Sequence, residues 1–206
     1  GELVRVKTNL PGQFSVYNAL AAISCARLLG VSLADAAAAL ETAHGAKGRV
    51  EPVPTDGDYS IFIDYAVTPD AIENVLTTLR GIAPKRLVML FGAGGDRDRK
   101  KRPIMGKLSA DIADFVIVTS DNPRTEDPMS IIEEILPGVR AGKAPYKVIC
   151  DRPEAIRWAI DHHEPGDVIL LCGKGHEDYQ IIGHEKIHMD EREIVADYLA
   201  ERAKRT

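Results

Sequence analysis

Four short segments hold most of the side chains able to do chemistry: Asp64-Tyr65-Ala66-Val67-Thr68-Pro69-Asp70, Gly92-Ala93-Gly94-Gly95-Asp96-Arg97-Asp98-Arg99, Ser120-Asp121-Asn122-Pro123-Arg124-Thr125-Glu126 and Gly173-Lys174-Gly175-His176-Glu177. In the second, Gly92 and Gly94 open like a dinucleotide fingerprint. Arg97 stands where the third glycine should be and blocks close helix–strand contact. These glycines instead suit backbone amides and Arg97 approaching an anion. In the third segment Asp121 and Asn122 offer a carboxylate and an amide, and Pro123 is a rigid residue that aims the Arg124 guanidinium. Arg124 can pair bidentately with a carboxylate, which lysine does less selectively. The same segment also reads as a polar turn whose Asp127 and Pro128 cap the next helix.

In the fourth segment Glu177 suits an ammonium ligand. Gly173-Lys174-Gly175 lacks the spacing of a phosphate-binding loop, and no Gly-x4-Gly-Lys-Ser/Thr occurs in the chain. His176 and Glu177 have no second histidine four residues away, so no metal site is expected. Of the basic run Arg97, Arg99, Lys100, Lys101 and Arg102, Arg97 is assigned to a ligand and Lys100 to solvent. Part of the remainder reads as a solvated face.

These segments follow short apolar runs at 60–63, 86–91, 115–119 and 168–172, with a further run at 146–149 and a weaker pair at 179–182 and 186–188. Between them lie helical patterns, clearest in Ala71, Ile72, Val75, Leu76 and Leu79 at a 3.6-residue period. Others cover about 104–112, 129–139, 153–162 and 192–202. The alternation predicts an α/β domain: a mostly parallel sheet of about six strands with helices on both faces. All strand carboxyl ends then share one edge, and the four polar segments converge on one crevice there. The first 48 residues differ. A strand is expected over Glu2–Thr8, a helix over Ser15–Leu29 stopping at Gly30, and a second from the Ser32/Asp35 capping pair to Ala43. One strand and two helices cannot close a core alone.

With 206 residues, 45% apolar and 28% charged, the chain is an ordinary globular protein. Its net charge of −5 argues against sequence-independent nucleic-acid binding. No apolar stretch approaches the roughly 20 residues of a membrane span, and no basic-then-apolar leader opens the chain. The expectation is a cytoplasmic protein that engages neither nucleic acid nor membrane. Cys25, Cys150 and Cys172 are expected to be buried structural cysteines.

Taken in order, Gly48-Arg49-Val50-Glu51, Asp64-Tyr65-Ala66, Thr68-Pro69-Asp70, Gly95-Asp96-Arg97-Asp98, Lys101-Arg102-Pro103, Asp121-Asn122-Pro123-Arg124 and Gly173-Lys174-Gly175-His176-Glu177 closely resemble the UDP-N-acetylmuramoyl-tripeptide synthetases of the Mur ligase family. Phe14-Ser15-Val16-Tyr17-Asn18-Ala19 is similar to the end of that family's central ATPase domain. The resemblance implies a Rossmann-like fold, with residues 1–48 a carboxyl-terminal remnant of the central ATP-binding domain and 49–206 the amino-acid-binding domain. It implies ATP- and Mg²⁺-dependent addition of meso-diaminopimelate to the dipeptide UDP-MurNAc-L-Ala-D-Glu in peptidoglycan biosynthesis. Residues Arg97, Asp121, Asn122, Pro123, Arg124, Gly173 and Glu177 would bind diaminopimelate. Asn18, Arg49 and Asp64 would lie near the nucleotide.

Val67 departs from the histidine usual in the family after Asp-Tyr-Ala and removes a polar nucleotide contact. With the family's amino-terminal domain and phosphate-binding loop not in this sequence, the chain alone is expected to bind rather than catalyse. The competing readings are a related ligase of the folylpolyglutamate type with a different acceptor, a phosphatase using Asp64, and a non-catalytic binding module. The phosphatase lacks its second aspartate, since Ala66 holds that place.

Overall fold

The structure, a computed structural model, describes residues 1–205 without the Gln13 side chain. The last residue of the expected second domain, Thr206, lies outside the described residues. The chain divides into two compact units, Gly1–Ala46 and Lys47 onward.

In the larger unit the elements run β1 (Glu51–Val53), β2 (Ser60–Asp64), α1 (Pro69–Arg80), β3 (Leu87–Phe91), α2 (Lys101–Ile112), β4 (Phe115–Val118) and α3 (Pro128–Arg140). They continue through β5 (Tyr146–Val148), α4 (Arg152–Asp161), β6 (Val168–Cys172), β7 (Tyr179–Ile182), β8 (Glu185–His188) and α5 (Glu191–Ala203). Strands order as β1-β2-β6-β3-β4-β5 in a six-stranded sheet, with β7-β8 a separate hairpin. Every pair in the sheet is parallel except β1 with β2. A mostly parallel sheet covered on both faces is therefore present.

The central strands have no polar face because both sides are covered. Along β3, Leu87, Met89 and Phe91 join one core with Ile72 and Leu76 of α1, Met105 of α2 and Ile132 of α3. Val88 and Leu90 point the other way, to Ile156 and Ile160 of α4 and Val195 of α5. β6 splits in the same two-residue period, with Leu170 on one face and Leu171 on the other. Each such side chain contributes about 1.5–3 kcal/mol of burial, which holds the strand ends rigid at the polar edge. Helix starts are fixed by side-chain caps: Thr68 accepts from Ala71 N, Asp127 from Ser130 N and Asp151 from Glu154 N, each followed by proline in the first turn.

β1 has no counterpart in the sequence reading. Pro52 hides it, yet an edge strand tolerates a residue that cannot donate to the ladder, and Pro52 pairs with Phe62. In the smaller unit, helices span Gln13–Leu28 and Leu33–Glu41. Gly30 takes φ 89 after the first, and the Ser32 side chain accepts from Asp35 N at the second. The strand expected over Glu2–Thr8 is not formed, and those residues are irregular. Alternation alone gives no strand where no neighbouring strand satisfies its backbone. Cys25 is exposed, against expectation, on the first of these helices; Cys172 is buried and Cys150 intermediate.

Candidate functional site

Strands β2, β3, β4 and β6 run parallel, so the segments following them meet at one edge. There they enclose a cleft of about 110 Å³ whose lining includes Tyr65, Gly94, Arg97, Lys101, Asp121, Asn122, Arg124, Gly173 and Glu177. Six of the seven residues expected at the acceptor site thus share one cavity. Pro123 is buried and does not line it.

The floor is a closed polar network. Lys174, 0% exposed, donates to Glu177 Oε2 at 2.7 Å and Asn122 Oδ1 at 2.8 Å. Asn122 Nδ2 donates to the same Glu177 oxygen at 2.9 Å, and its Oδ1 also accepts from Ile181 N at 2.9 Å. Burial pushes the Glu177 carboxyl up, but hydrogen bonds from Lys174 and Asn122 outweigh it and leave the group below its usual range. Asp121 Oδ1 accepts from Asn122 N at 2.6 Å, while buried Oδ2 has no hydrogen-bond partner among the described residues. Gly173, at φ 115, is required here: a Cβ would sit 2.7 Å from Asp121 Oδ2.

Two devices hold the floor to the sheet. Fully buried Arg152 donates to the strand-end carbonyls of Ser120 and Cys172 and to Glu191. Arg124 is pinned by the β7–β8 hairpin: its N–H donates to Ile181 O at 3.0 Å and its carbonyl accepts from Gly183 N at 2.7 Å. The pinning keeps Arg124 at φ 52, a left-handed conformation that costs a non-glycine residue about 1 kcal/mol or more. The hairpin, as well as Pro123, therefore aims this side chain.

The rim follows β3. Gly95 sits so close to the third segment that a Cβ would lie 1.9 Å from Pro123 O. Arg102, 0% exposed, donates to Glu126 and Glu134 and to Gly94 O, so it does not belong to the solvated part of the basic run. Lys101 is half-buried and donates to Val67 O at 2.9 Å. Lys100 is exposed, as expected. The Arg102 hydrogen bond draws the Glu126 carboxyl down to about 2. Arg97 is exposed and donates to Asp96 O, and Arg124 donates to Gly95 O at 2.8 Å. Among the described residues neither guanidinium has a carboxylate within ion-pair distance.

Arg49, exposed, lies over the Tyr65 ring at 5.3 Å, and Tyr65 OH reaches Glu177 Oε1 at 3.4 Å. Asp64 accepts from Val50 N at 2.8 Å; burial pushes its carboxyl up against that bond and the nearby Arg49. Asn18 is exposed on the first helix of the smaller unit. No group of three or more His, Cys, Asp or Glu among the described residues could hold a metal ion. The sequence reading includes Lys174, Tyr65 and Arg102 in its motifs but assigns none of them a role. A lysine two residues beyond the wholly apolar β6, set between two glycines, is the available signal.

Residues 48–175 match the sequence model of the family described as Mur ligase, glutamate ligase domain. The chain belongs to the Mur ligase family. The match takes in every cleft residue named above except Glu177, two positions beyond it. A relative from Caldanaerobacter subterraneus subsp. tengcongensis, named UDP-N-acetylmuramoyl-L-alanyl-D-glutamate–2,6-diaminopimelate ligase, is 52% identical over 199 residues, 97% of this chain and 41% of its own. A relative of the same name from Trichormus variabilis is 49% identical over 203 residues, again 41% of its length. A solved structure of a ligase of that name superposes with a TM-score of 0.75 at 38% identity, over 96% of this chain and 40% of the other. This Mur ligase chain thus spans about two fifths of the length of the curated relatives it matches.

Proposed function

We propose that this chain supplies the amino-acid site of an ATP-dependent amide-forming ligase that adds meso-diaminopimelate to UDP-MurNAc-L-Ala-D-Glu in peptidoglycan biosynthesis. One observation carries the reading: Arg97 and Arg124, with no carboxylate partner among the described residues, share a cleft with Glu177, whose carboxyl is held below its usual range. A ligand with two carboxylates and an ammonium between them complements that pattern. Arg124 would take the distal carboxylate, Arg97 the other, and Glu177 the nearby ammonium, with Asp121, Asn122 and Gly173 shaping the floor. The relatives' names agree in acceptor class.

In this reading ATP, as substrate, activates the carboxylate of the nucleotide dipeptide. The chain's own task is to hold the incoming amine in line for attack, which converts a bimolecular encounter into an oriented one. Arg49, Asp64 and Asn18 are the residues assigned to the nucleotide side, and residues 1–48 to a central ATP-binding domain. Val67 offers the nucleotide only a methyl surface. Mg²⁺, which is held chiefly through substrate phosphates, would neutralise their charge in the assembled ligase. Nucleotide substrates favour a cytoplasmic location for the ligase in this reading.

Calorimetric titration of the chain with meso-diaminopimelate tests the proposal. Saturable binding is expected, weakened by Arg97→Ala and more strongly by Arg124→Ala. Absence of binding, or equal affinity in the three proteins, would reject the acceptor-site reading.

A further inference from the structure

We propose that Lys174 is the positioning residue of the cleft: its sealed ammonium turns Glu177 Oε2 inward and leaves Oε1 to receive the ligand's ammonium. The inference rests on the acceptor-site reading above and adds a residue to it.

The geometry divides the Glu177 carboxylate between two tasks. Oε2 is spent on Lys174 Nζ at 2.7 Å and Asn122 Nδ2 at 2.9 Å. Oε1 is reached by the Tyr65 hydroxyl at the hydrogen-bond limit of 3.4 Å, and the Tyr179 hydroxyl also hydrogen-bonds the carboxylate. A ligand ammonium therefore finds one oxygen that no cation among the described residues engages. Lys174 also fixes the Asn122 amide: Oδ1 accepts from Lys174 and from Ile181 N, so Nδ2 must face Glu177. One cation thereby sets the rotamer of both neighbours.

A purely packing role does not account for a lysine here. Burying an ammonium costs several kcal/mol unless it is well paired, and an apolar side chain of similar length would fill the space without that cost. The backbone is contorted on both sides of it, with Gly173 at φ 115 and Gly175 at φ 53. At Gly175 a Cβ would lie 2.5 Å from the Tyr65 Cβ. The groups facing the Glu177 carboxylate are Lys174, Asn122 and the Tyr65 and Tyr179 hydroxyls, with Asp121 and Arg124 in the surrounding field. Lys174 also lies over the Tyr179 ring at 5.0 Å. It is the cation bonded directly to Glu177, so its removal leaves burial to dominate that carboxyl.

The test follows the Glu177 carboxyl carbon by NMR against pH in the ligand-free chain and in Lys174→Met. Meso-diaminopimelate titrations run beside it from pH 5.5 to 8. The parent Glu177 should titrate below ordinary glutamates, and the variant's midpoint should rise by about one pH unit or more, a tenfold change in its proton affinity. Affinity in the variant should fall about tenfold at pH 8 and fall further toward pH 5.5, where the parent stays flat. Lys174→Gln, which keeps a donor without the charge, must move the midpoint the same way and serves if Lys174→Met does not fold. An unmoved midpoint, or an affinity profile parallel to the parent's despite a lower melting temperature, makes Lys174 merely structural. If the midpoint moves and the parent binds no meso-diaminopimelate, the acceptor reading fails and the Lys174 arrangement stands. If the ligand binds and the midpoint does not move, the reverse holds.

Discussion

The floor of the cleft and its rim are built from the same kinds of residue and put to opposite use. On the floor, Lys174, Asn122 and Glu177 satisfy one another before any ligand arrives, and Arg152 ties the strand ends beneath them. On the rim, Arg102 is consumed by Glu126 and Glu134, while Arg97, five residues earlier, remains exposed without a carboxylate partner. Charges on the floor are buried and paired, whereas on the rim Arg97 is left open, as the proposed ligand contact requires. Preorganisation of this sort lowers the ordering cost of binding, because the groups contacting the ligand do not have to be found and fixed at that moment.

The sharpest way to break the comparison is on the floor. Asn122→Leu keeps the volume, takes one hydrogen bond each from the Lys174 ammonium and Glu177 Oε2, and leaves the Ile181 amide without its Asn122 acceptor. Chemical denaturation should show a loss of about 2–4 kcal/mol, since a buried polar group left short of a hydrogen bond costs about 1–3 kcal/mol and more where a charge is involved. A loss under about 1 kcal/mol, the scale of an exposed pair, would mean that the floor is not the closed unit described.

A smaller effect is expected from the rim. Glu126→Gln removes the Arg102 partner whose carboxyl is held to about 2. A carboxyl depressed on folding stabilises above its unfolded value, and that contribution disappears as pH falls through the folded value. Glu126→Gln should therefore melt a few degrees below the parent at pH 7. The gap should narrow as pH drops below about 4.5. A gap constant from pH 7 to pH 2.5 would show that the pair's charge is not what stabilises this corner.

How much of this could be read from residues alone depends on the range of the interaction. The apolar runs at 87–91 and 168–172 announce buried strands without help, and the polar segments after them fall at the strand ends because a parallel sheet leaves no other place. Arg97, Arg124 and Glu177 were visible as types suited to a zwitterionic ligand. Arg102 was not: it looked like one more member of a basic run, and its partners stand 24 and 32 residues away. Lys174 was hidden likewise, with Asn122 52 residues distant. Pro52 masked β1 by breaking the local pattern that an edge position forgives. Glu2–Thr8 erred the other way, since alternation is a local property and a strand needs a partner.

The central claim is that Arg124 reads a distal carboxylate. A thermodynamic cycle tests it most directly, using lysine as the ligand that lacks this group. Affinities of meso-diaminopimelate and lysine are measured on the parent chain and on Arg124→Ala. The account predicts a preference for diaminopimelate in the parent and its collapse in the variant, with a coupling of about 2–5 kcal/mol between side chain and carboxylate. If Arg124→Ala keeps the parent's preference, the carboxylate is read elsewhere, and the assignment of the third segment to the ligand is contradicted.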